Sequence, residues 1–234
     1  MNARGGVHAK GIWMHSLTSV PLADIARTTP SSTRVFLRHH LDFCCGGKRT
    51  LAEACERAGL DAVAIAAEVE VEAKRSSSDV QWATRSPSEL CDYIESHYHV
   101  ALRRDLPPLI EAARKVEHVH AEKPEVPAGL CAVLSEFFSE MQSHMSKEEG
   151  VLFPMIRRGV HGEPMYMPVG MMEQEHDTHR DSLRRIRELT HGLRAPDHAC
   201  ATWRALYRGL EAVEADLMQH IHLENNVLFS IAVK

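Results

Sequence analysis

HMSKEEGVLFP, residues 144–154, returns near the end of the chain as HIHLENNVLFS, residues 220–230. In each copy a His is followed four positions later by a Glu, His144 by Glu148 and His220 by Glu224, and Val-Leu-Phe follows at 151–153 and 227–229. Residues i and i+4 of an α-helix lie one above the other on one face. Each copy therefore turns one imidazole and one carboxylate toward the same point. Two such faces meeting inside a bundle present two His and two Glu, and the carboxylates can bridge a pair of metal ions. His and Glu are also ordinary surface residues, and sixteen His in 234 residues make one such pair unsurprising. The second copy, with the same apolar trio, is what favours a metal centre.

Composition narrows the field. Net charge is −5 and the 27 Lys and Arg are dispersed, so no nucleic-acid partner is indicated. No run of eighteen apolar residues is present, which argues against a membrane span, and the first residues lack an apolar signal segment, so a cytoplasmic protein is expected. Aromatic content is 6% while Ala, Leu, Glu and Arg are plentiful, which favours an all-α fold.

Four parts follow from the punctuation. Residues 1–18 read as a leader. Residues 19–75 read as a small domain of short helices: PLADIART, then TPSSTRVFLRHH, then a helix capped by Thr50 and ended by Gly59, then one capped by Asp61. A core of that size is marginal alone. The polar stretch 76–87 reads as a linker ending in Ser-Pro. Residues 88–230 read as four long helices over about 88–118, 130–158, 171–192 and 199–229, an up-down-up-down bundle. Pro107-Pro108 predicts a kink or break in the first of them, and GVHGEPMYMPVG predicts a loop before the third.

Depth along antiparallel helices selects the candidate ligands. His99 sits at a similar distance from its turn as His144 and Glu148, and His176 matches His220 and Glu224. The set is His99, His144, His176, His220, Glu148 and Glu224, a shell suited to two iron ions with an oxo or hydroxo bridge; zinc or manganese would accept some of the same donors. His120 lies 21 residues after His99, about 31 Å along an unbroken helix, and reaches the same site only if the Pro pair folds the chain back. His97, His118, His161, His179, His191 and His222 read as solvated by default, His179 sharing the face of His176. Glu140 and Glu175 are candidates for an access or proton path. Cys44-Cys45 are too close for ordinary disulfide geometry; Lys48, Arg49, His39 and His40 nearby predict a lowered pKa and an accessible thiolate.

With LDFCCGGK (41–48), KVEHVHAEKP (115–124), SHMSKEEGVLFPMI (143–156), EQEHD (173–177) and HIHLENNVLF (220–229), the chain resembles the bacterial di-iron proteins called Repair of Iron Centers, over about residues 18–230. The resemblance implies an ScdA-type N-terminal domain, a hemerythrin-like bundle and a cytoplasmic protein that restores iron-sulfur clusters damaged by nitric oxide or peroxide. It implies His99, His144, His176 and His220 as terminal ligands of two non-heme irons bridged by Glu148 and Glu224. It also places His120 on a histidine considered as a ligand and Cys44-Cys45 on a thiol pair. Damaged iron-sulfur proteins or apo-cluster acceptors are the partners expected, with a homodimer through the N-terminal domain.

Three functional readings are open at this point. The favoured one is iron supply for cluster repair, since His and Glu hold a ferrous ion less firmly than thiolates. The enzymatic alternative is reduction of nitric oxide to nitrous oxide at the diferrous centre. The third is non-enzymatic binding or sensing of O₂ or NO.

Overall fold

The computed structural model describes residues 17–75 and 82–234. Most of the expected leader and the first half of the expected linker lie outside the described residues. Among the described residues there is no strand, only one antiparallel bridge between Pro21 and Thr50, so the all-α reading holds. The chain divides into two compact units, one up to Arg85 together with Ile221–Leu228, the other Ser86–His220 together with Phe229–Lys234.

The first unit contains α1 (Leu22–Thr28), α2 (Ser32–Arg38), α3 (Leu51–Ala58) and α4 (Ala62–Arg75). Thr50 forms a capping box with Glu53, its side chain accepting from the Glu53 N–H while Glu53 accepts from the Thr50 N–H. Gly59, at φ 67°, ends α3 in the left-handed conformation that glycine adopts without a Cβ penalty. Asp61 caps α4 by accepting from Val63 N–H at 2.8 Å. Leu22, Ile25, Val35, Phe36, Leu51, Ile65 and Val69 form the buried core. On the outside, Arg38 and Arg34 of α2 pair with Glu68 and Glu72 of α4 at 2.8 and 3.3 Å.

The second unit is built from long helical rods. The first runs through α5 (Pro87–Tyr93), a π-helical segment Ile94–His99, and α6 (Val100–Val119). The next runs through α7 (Leu130–Lys147), a π segment Glu148–Leu152 and α8 (Phe153–Arg157). Then come α9 (Glu163–Leu189) and α10 (Ala201–Leu223), which continues through a π segment Glu224–Leu228 into α11 (Phe229–Ala232), with Ile221–Leu228 of this rod grouped with the first unit. Short connections make successive rods antiparallel, the up-down-up-down order of a hemerythrin-like bundle. The first rod opens with a second capping box, Ser86 with Glu89, and Pro87 in the first turn, where no N–H donor is needed. Gly209 lets α10 approach α6 closely, since a Cβ there would stand 2.5 Å from Leu109 Cδ2.

Two expectations are corrected here. Of the kink or break expected at Pro107 and Pro108 the break does not occur, since both lie inside α6 without ending it. The carbonyls that lose their i+4 donors belong to Arg103 and Arg104, on the half-buried to exposed side of the rod, where water can satisfy them. The third rod begins at Glu163 rather than 171, because Pro164 falls in its first turn and supplies a helical φ where the missing N–H costs nothing.

Candidate metal centre

All three π segments among the described residues touch the candidate ligands. One ends at His99, one begins at Glu148 and one begins at Glu224. A π turn admits an extra residue and re-aims the side chains beyond it, which is why such turns gather at functional sites. Ideal helix spacing carries no sign of them.

The six side chains His99, His144, Glu148, His176, His220 and Glu224 are each no more than 1% exposed. Their donor atoms fall into two groups: His99, Glu148, His220 and Glu224, and His144, Glu148, His176 and Glu224. Within each group the atoms lie within 4.8 Å of one another, and both Glu belong to both groups. Glu224 is carried on the same continuous helical rod as His220.

Chemistry of the donor set fits a cation. The buried oxygens of Glu148 accept no hydrogen bond. Instead they face the Nε2 of His99 at 3.3 Å and the Nε2 of His144 at 3.4 Å. Burial alone would raise the Glu148 pKa, but the imidazoles of His144, His99 and His220 hold it well below the usual carboxylate range. His144 and His176 bring their Nε2 atoms to 3.1 Å of each other. A dry carboxylate without hydrogen bonds costs several kcal/mol unless a positive charge compensates it, so this arrangement suits a bound cation.

Outer carboxylates fix the imidazoles. His144 Nδ1–H donates to Glu175 at 2.9 Å, and His99 Nδ1–H donates to Glu149 at 2.7 Å. Donation at Nδ1 leaves the Nε2 lone pair of the neutral ring facing inward, the tautomer a ligand needs. The hydrogen bond from His144, reinforced by Lys147 Nζ at 2.5 Å, lowers the Glu175 carboxyl to about 2. Burial pulls Glu149 upward, but Arg103, which donates twice at 2.8 and 3.0 Å, and His99 outweigh it.

Aromatic rings brace the same imidazoles. Phe153 stacks on His99 and Phe229 on His176, at centroid distances of 5.8 and 6.0 Å. These are the two Phe of the repeated Val-Leu-Phe, so the repeat supplies a ring as well as a His and a Glu. Tyr98 stacks on His220 at 5.3 Å.

Some candidates sit elsewhere. His120 follows the end of the unbroken α6, with its Nε2 at 3.2 Å from Cys200 Sγ and its ring beside Trp203, so the fold-back needed to make it a ligand does not occur. His179, expected in solvent, is 2% exposed with its ring edge against His144 at 4.8 Å. Burial first, then the imidazoles of His144 and His176, push its pKa down to about 3. Glu140 is half-buried, and burial followed by the charge of Glu136 raises its carboxyl. Sequence reasoning missed Glu149 and Arg103; the acidic neighbour directly after Glu148 was the available signal.

The thiol pair belongs to the first unit, and the expected activation is overturned for Cys44. Cys44 is 6% exposed. Its pKa is raised well above that of a free thiol, first by its hydrogen bond with Cys45, then by burial and by Asp42. Cys44 Sγ–H donates to Asp42 Oδ1 at 3.3 Å, and Asn226 Nδ2 donates to the carbonyls of Phe43 and Cys44 at 3.4 and 3.3 Å. The basic neighbours that suggested a thiolate are outweighed by this acidic, buried setting. His222, also expected in solvent, is 3% exposed against Phe43, and burial lowers it to about 4.

Comparison with known proteins agrees with this geometry. Residues 92–232 match the Hemerythrin HHE cation binding domain, and residues 18–73 match ScdA_N, a domain of unknown function. The iron-sulfur cluster repair protein YtfE of Yersinia pseudotuberculosis serotype IB is 44% identical over 213 residues, 91% of this chain and 96% of its own. YtfE of Yersinia pestis strain Pestoides F shows the same identity and coverage. YtfE of Citrobacter koseri is 43% identical over 218 residues, 93% of this chain and 98% of its own. The chain therefore belongs to the family of the YtfE iron-sulfur cluster repair proteins, in which an ScdA_N domain precedes a hemerythrin HHE cation binding domain.

Proposed function

We propose that this protein holds two iron ions and supplies iron to iron-sulfur clusters damaged by nitrosative or oxidative stress. The observation that carries the proposal is the pair of donor groups that share Glu148 and Glu224. In this reading His99 and His220 serve one ion, His144 and His176 the other, and the two carboxylates bridge them. When bound, the iron pair supplies exchangeable ferrous ions and redox chemistry.

The chain's own residues do the rest. Glu149 and Glu175 hold His99 and His144 in the ligating tautomer, and Phe153, Phe229 and Tyr98 fix ring planes. Glu140 and Glu175 border the approach from solvent. Imidazole and carboxylate oxygen bind ferrous iron less firmly than cysteine sulfur does, so the acceptor's thiolates draw iron away. The small N-terminal unit, with its Cys44-Cys45 pair, is the partner-facing part, toward a cluster protein or a second copy. No helix among the described residues is long and apolar enough to cross a membrane.

Metal analysis with Mössbauer spectra tests this on protein purified without added metal, beside Glu148→Leu/Glu224→Leu. Two magnetically coupled irons per chain, lost in the double variant, are expected, together with iron transfer to an apo-cluster protein. One zinc, or no metal, would overturn the proposal.

A further inference from the structure

A cavity of about 370 Å³ opens beside the His144 and His176 end of the centre, lined by Ser139, Glu140, Ser143, Lys147, Glu175 and His179 among others. Lys147 and Glu175 are already engaged with each other. Glu140 and His179 are not so engaged. His179 is 2% exposed, yet its Nδ1 has no hydrogen-bond partner, and Glu140 Oε2 is buried without one. Buried polar atoms without partners are uncommon, and a bound ion is one of the arrangements that satisfies them.

The two residues share a level. α7 and α9 are antiparallel, and His144 on one meets Glu175 on the other. Four residues earlier on α7 stands Glu140, and four residues later on α9 stands His179, one helical turn farther from the centre. Glu136, another turn outward on the same face, adds negative charge near Glu140. One carboxylate and one neutral imidazole are a donor pair for a divalent transition-metal ion. At the other end of the centre, Tyr98 and Phe153 stack on the rings of His220 and His99.

Resting on the iron-supply reading, we infer that Glu140 and His179 form a transit site for a ferrous ion, through which the ion held by His144 and His176 leaves and enters ahead of the other. The step is a ligand exchange without change of oxidation state: bonds to His144 and His176 break as bonds to Glu140 and His179 form. The two ions of the pair are therefore kinetically unequal, and the inequality is built into the wall of the cavity.

The test follows iron release from the loaded full chain to a ferrous chelator by stopped-flow absorbance, for wild type, Glu140→Gln and His179→Gln. Two phases are expected in wild type. Each variant is expected to keep its iron content and slow the first phase about tenfold, leaving the second unchanged. A crystal of wild type soaked in Co²⁺ is expected to show anomalous density between Glu140 and His179. Unchanged first phases in both variants would overturn the transit site alone, whereas a wild type that yields no iron would overturn the supply reading with it. Glu140 is half-buried, so its variant keeps the test valid if the His179 variant fails to fold.

Discussion

The ring of Phe229 lies parallel to that of His176, at an interplanar angle of 1° and a centroid distance of 6.0 Å. Phe153 takes the same role toward His99, at 17° and 5.8 Å. Each Phe follows its Glu by five positions, with a π turn between, so the turn that re-aims the carboxylate also delivers the ring. Phe229→Ala would remove a side chain 1% exposed and is expected to cost about 3–5 kcal/mol, a large share of a domain's stability. Phe229→Leu is the more informative change. It is expected to keep the helical circular-dichroism signal, lower the melting temperature by a few degrees and weaken metal binding several-fold, as read by metal titration. Unchanged metal affinity would show that stacking does not hold His176.

Glu149 and Glu175 touch no metal position directly but orient His99 and His144. Losing such a partner typically costs 10–100-fold in metal affinity, by the order of magnitude seen in other sites. Glu149→Gln and Glu175→Gln are each expected to weaken metal binding within that range while changing apo-protein stability little, because both residues are partly exposed. Competition titration against a chelator of known affinity checks this. An affinity within a factor of two of wild type would remove the orienting role.

How much of this was readable in the chain depends on the scale of the feature. The i,i+4 spacing put His144 with Glu148 and His220 with Glu224 on common faces, and the antiparallel depth argument brought His99 and His176 to the same layer; the structure gathers all six. That reasoning used only an ideal helix and short turns. What it could not see is where the helix departs from ideal, as at the π turns, or where a breaker is tolerated, as at Pro107-Pro108. Burial was the other blind spot. His179 and His222 look like any polar residue in sequence, and only packing shows that both are inside. Cys44 failed for a related reason, since neighbours in sequence suggested basic surroundings while the fold presents Asp42 and a dry pocket.

The thiols should therefore react in an order set by exposure rather than by sequence neighbourhood. Cys200 is exposed, Cys45 intermediate, and Cys44, Cys55 and Cys91 buried. Timed alkylation at neutral pH, followed by mass spectrometry, is expected to modify Cys200 first and Cys44 much later than Cys45. Asn226→Ala removes the side-chain donor to the Phe43 and Cys44 carbonyls and is expected to accelerate Cys44 severalfold without changing Cys200. Early labelling of Cys44 in wild type would contradict its buried, raised-pKa setting.

The link between α2 and α4 should weaken in acid. The hydrogen bond from His39, with Arg38 beside it, lowers the Glu68 pKa below its ordinary value of 4.5. A carboxyl depressed in the folded state stabilises it above that ordinary value and loses the effect as pH falls through the folded pKa. Surface pairs of this kind contribute about 0.2–1 kcal/mol. Amide exchange in Ser32–Arg38, followed by mass spectrometry, should rise modestly below about pH 4.5 after correction for intrinsic rates. Glu68→Gln should raise it already at pH 7 and flatten the acid response. Equal acid responses in both proteins would assign the effect to other groups.

Removing metal should expose what the buried carboxylates cost. Glu148 and Glu224 are 0% exposed among four buried imidazoles. A ligand present at 100–1,000 times its dissociation constant stabilises the folded state by about 2.7–4.1 kcal/mol. For a chain of this size that corresponds to a rise of roughly 5–15 °C in melting temperature, which a chelator should reverse. Replacing buried charges by packed apolar side chains of similar volume is often neutral or stabilising by about 1–4 kcal/mol. Glu148→Leu/Glu224→Leu is therefore expected to melt at or above the temperature of the metal-free wild type and to ignore added iron. Scanning calorimetry of both proteins, with and without iron, separates the two effects. If the double variant melts well below the metal-free wild type, the carboxylates serve the fold itself; if it matches or exceeds it, their burial is a cost the apo-protein carries for the sake of metal binding.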